Sequence, residues 1–344
     1  LDSAAVRVQA WIETSRSRRG RAVAAGESSL ALRHLRRMSL GADVIASSRK
    51  LEAADSERLL QQLRAQPNVE YVEIDRMLRP ALVPNDPSYP SQWGLQDADA
   101  GLRANAAWDV ATGSGIIIAI IDTGITSHSD LNANVVAGYD FISDGTVAND
   151  GGGRDADPSD PGDWTSGQCG SARGSSWHGT HVAGIAAART NNGVGVAGVA
   201  FDAKVMPVRA LGTCGGSTSD IADAVVWSSG GTVPGVATLS AANAADVINM
   251  SLGDIGACSS TLQGAINGAV SRGTAVVVAA GNDGTDAATF SPANCASVIA
   301  VAAMDSSSQV ASFSNFGPTV DVAAPGSGIY STLNGGTKLP AAES

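Results

Sequence analysis

The amino-acid sequence predicts an α/β protein: a parallel, doubly wound sheet with helices on both faces, preceded by a small α/β unit. Three observations carry that prediction. Short, uniformly apolar runs recur along residues 81–344 with helix-like stretches between several of them, the pattern of strands buried on both faces. Aromatic residues make up only 4% of the chain and 40 of its 344 residues are glycine, which points to close packing of small side chains. The charge is divided, too. Residues 1–80 carry 14 Lys+Arg and 10 Asp+Glu, residues 81–344 carry 8 and 23, as two units of different character do.

In the first unit, "AADSERLLQQLRAQ" (53–66) sets Leu59, Leu60 and Leu63 at helical spacing behind Asp55, a candidate N-cap. "NVEYVEIDRML" (68–78) alternates as a half-exposed strand does. The basic run "RSRRGR" (16–21) reads as a solvated loop. The net charge of −11 argues against nucleic acid as a partner. The join "RPALVPNDP" holds three prolines and reads as an extended linker between units 1–80 and 81–344. No apolar run approaches the roughly 18 residues of a membrane span.

In the second unit the expected strands are 115–122, 203–211, 245–253, 273–282 and 296–304, and the expected helices 180–189, 219–229 and 260–273. Functional residues of such sheets collect at the carboxyl ends of the strands. Those ends carry Asp122, Ser251-Leu252-Gly253 and Gly281-Asn282; the turn before the helix at 180 carries His178.

These are an acid, a backbone segment, an amide donor and a base. "IIDTGI" (120–125) ends a buried strand in a carboxylate, as an acid that orients a histidine requires. The alternatives are a turn-capping aspartate or half of an aspartic-protease dyad. That dyad needs two Asp-Thr-Gly segments, and this chain has one. In "SWHGTHVAGIAA" (176–187) the histidines are three apart with no glutamate between, unlike the zinc-protease helix. His178 stands at the helix edge as a candidate base, while His181 shares a face with Val182 and Ile185 and reads as a packed residue. His128, in a polar loop, is a poorer candidate base. Asn282 in "VAAGNDG" (278–284) could donate to an oxyanion, or could simply be a turn residue before Gly. Losing such a donor costs about 10²–10³ in turnover, a magnitude measured within the family named below.

The four cysteines, Cys169, Cys214, Cys258 and Cys295, form no CxxC pair. They favour two disulfides and an oxidising compartment over buried free thiols, with three pairings open.

"IIDTGI", "HGTHVAG", "VINMSLG", "AAGNDG" and "SFSNFGPTVDVAAPGSGIYST" (312–332), in that order, resemble the subtilisin-like serine proteases, the subtilases, over roughly residues 85–340. The resemblance implies a serine endopeptidase acting through an acyl-enzyme. Asp122 would be the triad acid, His178 the base and Asn282 the oxyanion donor. Ser251, Leu252 and Gly253 would pair with substrate backbone. Gly215 and Gly216 would lie on its other side, and Gly253, Ala280 and Gly281 would border the pocket before the cut bond. Residues 1–80 resemble the family's propeptide, a folding template and intramolecular inhibitor, which implies a cleavage boundary within about 77–84. "TNNGVGVAG" (190–198) resembles its calcium loop, with Asn192 and the carbonyls of Thr190, Val194 and Val196 as ligands and Asp130 and Asp86 adding carboxylates. The insert 144–163, with six Asp against one Arg, is a weaker calcium candidate through Asp155, Asp157, Asp160 and Asp163, or a solvated acidic loop. The implied fold favours the local pairings Cys169–Cys214 and Cys258–Cys295. A secreted monomer acting on proteins or peptides is expected, its signal peptide already removed.

One departure stands out. The family's nucleophile sits in a Gly-Thr-Ser-Met-Ala segment, and these 344 residues contain none. The expectation is a precursor truncated before its serine and inactive as it stands. The alternative is a non-catalytic relative, a pseudoprotease that only binds peptides.

Overall fold

The computed structural model describes residues 7–12, 30–49, 51–75 and 82–344. The basic run at 16–21 and residues 76–81 of the join lie outside these. The chain divides into two compact units, residues 1–80 and 81–344.

The first unit is a four-stranded antiparallel sheet with one helix. Its elements are β1 (Arg7–Ile12), β2 (Leu32–Arg37), β3 (Asp43–Ser47), α1 (Ala53–Arg64) and β4 (Val69–Asp75), with strand order β2-β3-β1-β4. Ile45, Leu60 and Val72 form its core, and Leu63 and Val69 pack against them. The N-cap of α1 is Glu52, not Asp55. Asp55 falls inside the first turn and pairs with Arg58, one turn further on; a carboxylate there still favours the helix through its dipole. The alternation expected of β4 is only partly realised, for Tyr71 and Ile74 stand exposed.

The second unit opens with the short helices α2 (Trp93–Gln96) and α3 (Ala104–Trp108). Then come β5 (Ile117–Asp122), β6 (Tyr139–Asp140), α4 (Gly145–Ala148), α5 (His178–Ala187), β7 (Lys204–Arg209), α6 (Thr218–Ser228) and β8 (Val247–Met250). The rest is β9 (Asp254–Ile255), α7 (Ser260–Ser271), β10 (Ala275–Ala279), β11 (Phe290–Ser291), β12 (Ile299–Met304) and β13 (Val322–Pro325). Seven strands make one parallel sheet in the order β13-β12-β10-β8-β5-β7-β6. Strands β9 and β11 form a separate antiparallel ribbon.

Alternation along the strands sorts the core into two layers. Ile120 and Val205 face α5, where Ala183 and Ala187 pack on them. Ala119, Ile121, Met206 and Val208 face the other way, onto Ile221 and Val225 of α6 and Ile266 of α7. The small residues of α5 let that helix approach the sheet closely. Helices α6 and α7 start where serines cap them: Ser217 accepts from Asp220 N at 3.2 Å and Ser259 from Leu262 N at 3.1 Å.

After β5 the chain builds one side of the sheet with β6 and β7, then crosses to β8 on the other side of β5. The carboxyl end of β5 is therefore the topological switch point, where such sheets bind ligands.

Disulfides join Cys169 to Cys214 and Cys258 to Cys295, the pairing the resemblance implied.

Candidate active site

Asp122 ends β5 at the switch point and is fully buried. His178 is the first residue of α5, so the helix begins two residues earlier than its sequence pattern indicates. Its Nδ1 lies 2.8 Å from Asp122 Oδ1 and 2.9 Å from Oδ2. The hydrogen bond to Asp122 raises the imidazole pKa above its ordinary value; burial pulls the other way, and the charges of Asp122 and Asp163 add to the rise. With Nδ1–H donating to the carboxylate, Nε2 carries the lone pair. A half-exposed imidazole in that tautomer can take a proton from a bound nucleophile.

Both residues are held by their surroundings. Thr123 N donates to Asp122 Oδ1 at 2.7 Å. The Thr123 hydroxyl accepts from Gly179 N at 3.0 Å and donates to Asp160 Oδ2 at 2.7 Å. At Gly179 an added Cβ would sit 2.1 Å from the carbonyl oxygen of Gly124, so only glycine allows the helix to start this close to the acid turn. Trp177, just before His178, is buried in the left-handed region (φ +52°), and its Nε1 donates to Gly336 O at 2.6 Å. Asp163 accepts from both the N–H (2.6 Å) and the hydroxyl (2.9 Å) of Ser176.

His181 does not share in this. Its ring makes a 3.3 Å contact with Ile329 O, and burial lowers its pKa. His128 is buried and accepts from Asp130 N at 3.1 Å, a structural role.

Beside His178 lies a hollow of about 230 Å³ walled by Thr123, Ser176, Leu211 and Gly215. A larger one of about 530 Å³ continues past Leu211 and Gly215 to Gly216, Leu252, Gly253 and Asp254. Gly215, Gly216, Leu252 and Gly253 thus share one groove. Ser251 lies just before it, where its hydroxyl accepts from Asn249 at 3.0 Å. Ala280 and Gly281 are buried at the end of β10. Asn282 follows them, exposed, and no described hydrogen bond engages its side chain.

Two buried carboxylates, Asp86 and Asp130, meet at the loop 190–196. Asp86 accepts from Asn191 N at 2.9 Å and Asn192 N at 3.3 Å; Asp130 accepts from Asn192 Nδ2 at 2.7 Å and Val196 N at 2.8 Å. Burial raises the Asp130 pKa, and the charge of Asp86 adds to the rise. Among the described residues no hydrogen bond is accepted by the carbonyls of Thr190, Val194 or Val196. Two like charges among open carbonyl oxygens suit a hard cation. The Asn192 oxygen is taken by Val194 N at 2.8 Å.

The four aspartates of the acidic insert fall in two separate settings. Its four candidates do not converge: among the described residues no three His, Cys, Asp or Glu gather as a metal site. Asp155 and Asp157 cap turns within the insert. Asp160 and Asp163 are buried against Thr123 and Ser176, and burial pushes Asp160 up to about 6. Much of the insert is exposed, but part of it is tied into the fold. Residues 158–160 pair with Ile125, through Ile125 N to Pro158 O at 3.1 Å and Asp160 N to Ile125 O at 2.9 Å. Arg154 binds Asp220 and Asp223, and the buried Arg209 holds Asp140 and Asp150. The link from Thr123 to Asp160 spans 37 residues, which no local pattern reveals.

The family model described as "Subtilase family" matches residues 113–344. An extracellular protease of Xanthomonas campestris pv. campestris is 58% identical over 319 residues, 92% of this chain and 55% of that one. An extracellular basic protease of Dichelobacter nodosus is 44% identical over 315 residues, 89% of this chain and 52% of its own. The chain thus spans about half the length of these curated relatives. Among solved structures, one described as proteases from Pseudoalteromonas arctica superposes with a TM-score of 0.75 at 53% identity, covering 76% of this chain and 80% of that one.

Proposed function

The chain belongs to the subtilase family, and from that premise we propose that it belongs to a secreted serine endopeptidase that hydrolyses protein substrates. The observation that carries the reading is the bond between buried Asp122 and half-exposed His178 at the head of the groove.

In the proposed mechanism a serine hydroxyl attacks the scissile carbonyl and His178 Nε2 takes its proton. Asp122 keeps the ring in the needed tautomer and stabilises the imidazolium. Asn282 donates to the oxyanion. The histidine then protonates the leaving amine, and water releases the acyl group. Substrate backbone lies between residues 215–216 and 251–253 as an added strand. No Gly-Thr-Ser-Met-Ala segment occurs within these 344 residues. No nucleophile is therefore assigned among them, and these 344 residues by themselves are proposed to bind peptides without cleaving them.

Residues 1–80 are proposed as the propeptide that templates folding and inhibits until removed. Calcium is proposed at Asp86, Asp130 and the carbonyls of Thr190, Val194 and Val196. It would neutralise the paired carboxylates and stabilise the loop, with no part in the chemistry. The names of the two extracellular relatives support secretion, and the processed enzyme is proposed to be a monomer.

The test is a fluorophosphonate probe on the full-length protein. Labelling of one serine, abolished by His178→Ala, supports the enzyme. Failure to label any serine in protein that still binds peptides would establish the pseudoprotease instead. Mass spectrometry of the secreted form should find residues 1–80 gone.

A further inference from the structure

We propose that Asn315 is a positioning residue for Asn282; this rests on the oxyanion reading given above. Asn315 is fully buried beside the turn that carries Asn282. Its Oδ1 accepts from the N–H of Asp283 at 2.9 Å and of Thr285 at 3.1 Å. Its Nδ2 donates to Ala280 O at 3.0 Å, and its main-chain N–H donates to Gly281 O at 2.9 Å. One residue thus fixes the main chain on both sides of position 282.

The fit is close. Gly281 has φ +107°, and an added Cβ there would meet Asn315 Nδ2 at 2.2 Å and the Phe290 ring at 2.9 Å. Further bonds from Gly284 N to Phe313 O (2.9 Å) and from Phe316 N to Thr285 O (3.0 Å) lay the turn along 313–316. By contrast the Asn282 side chain is exposed and held by no described hydrogen bond. Its direction comes from its main chain, and a donor that must meet a transient charge gains from being aimed beforehand.

Asparagine suits the task chemically. It offers an acceptor to two N–H groups and a donor to a carbonyl within one planar group. Aspartate lacks the donor, and serine cannot span all three partners. Removing the amide leaves buried donors and an acceptor unpaired, and the turn shifts to satisfy them.

The test is a double-mutant cycle in the full-length protease. kcat is normalised to titrated active sites, so misfolded molecules do not count. Asn315→Ala should lower kcat by about 10–100-fold while KM stays within about threefold. In an Asn282→Ala background the same change should cost less than about threefold, because the two residues act as one unit. If Asn315→Ala yields no titratable sites, Asn315→Ser carries the same comparison. A kcat within about twofold of wild type would overturn the inference, as would an equal loss with and without Asn282. An Asn282→Ala enzyme with unchanged kcat would overturn the oxyanion reading itself.

Discussion

The main-chain N–H of Gly179 donates to the Thr123 hydroxyl over 3.0 Å, which ties the residue after the base to the residue after the acid. The same hydroxyl donates to buried Asp160 over 2.7 Å. Thr123 therefore stands between the sheet that carries Asp122 and the helix that carries His178, with the insert locking it from behind.

Thr123→Val keeps the shape and removes the hydroxyl. It leaves the Gly179 N–H and one Asp160 oxygen unpaired in a buried place, a cost of about 1–3 kcal/mol each. kcat/KM should fall by roughly tenfold or more, and Thr123→Ser should restore most of it. Steady-state kinetics of the full-length protein on a peptide substrate checks both; equal activity of valine and serine variants contradicts the brace.

The pH dependence follows from His178. Asp122 raises its pKa, so the neutral base is present at high pH and lost as pH falls through that raised value. Asp122→Asn removes the charge, so the ring should titrate at lower pH while turnover drops by about 10⁴. Nitrogen-15 NMR of the His178 ring, alongside the pH–rate profile, measures both.

Asp160 sets a pH window in stability. Burial raises its folded pKa from 3.8 to about 6. The neutral carboxyl is favoured in the fold, so its contribution is full below the unfolded value and lost as pH rises through about 6. Asp160→Asn should therefore flatten the fall in Tm between those limits. Parallel melting curves across the window decide it, and identical slopes would remove Asp160 from the account.

The Cys258–Cys295 bridge closes a sequence separation of 37 residues between the segment after β9 and that before β12. Replacing both cysteines by serine should cost about 2–4 kcal/mol, chiefly by freeing the unfolded chain. Denaturant unfolding of the wild-type and double-serine forms under oxidising conditions, with Cys169–Cys214 intact in both, checks it; equal stability of the two would contradict the bridge's contribution.

Much of this was legible in the residues. The five inner strands of the sheet are mostly apolar, and the helix-like stretches 219–229 and 260–273 fall on α6 and α7. Asp122 and His178 sit in distinctive local strings and meet as expected. What could not be read is contact between distant segments. Val322–Pro325 (β13) and Tyr139–Asp140 (β6) are short edge strands with weak patterns of their own. The aspartates of the insert look alike in sequence, yet Asp155 and Asp157 only cap turns while Asp160 and Asp163 are buried behind the histidine. Asn315 sits in "SNFG", inside a motif that carries the resemblance but assigns it no role, and its partners lie some thirty residues earlier.

The approach of Gly179 to Gly124 is a contact of main chain on main chain. Apart from the Thr123 hydroxyl, no side chain forms the spacer here, so its width is set chiefly by main chain. The separation of the Asp122 turn from the His178 helix is thereby a property of the backbone, indifferent to most exchanges in the loops around it.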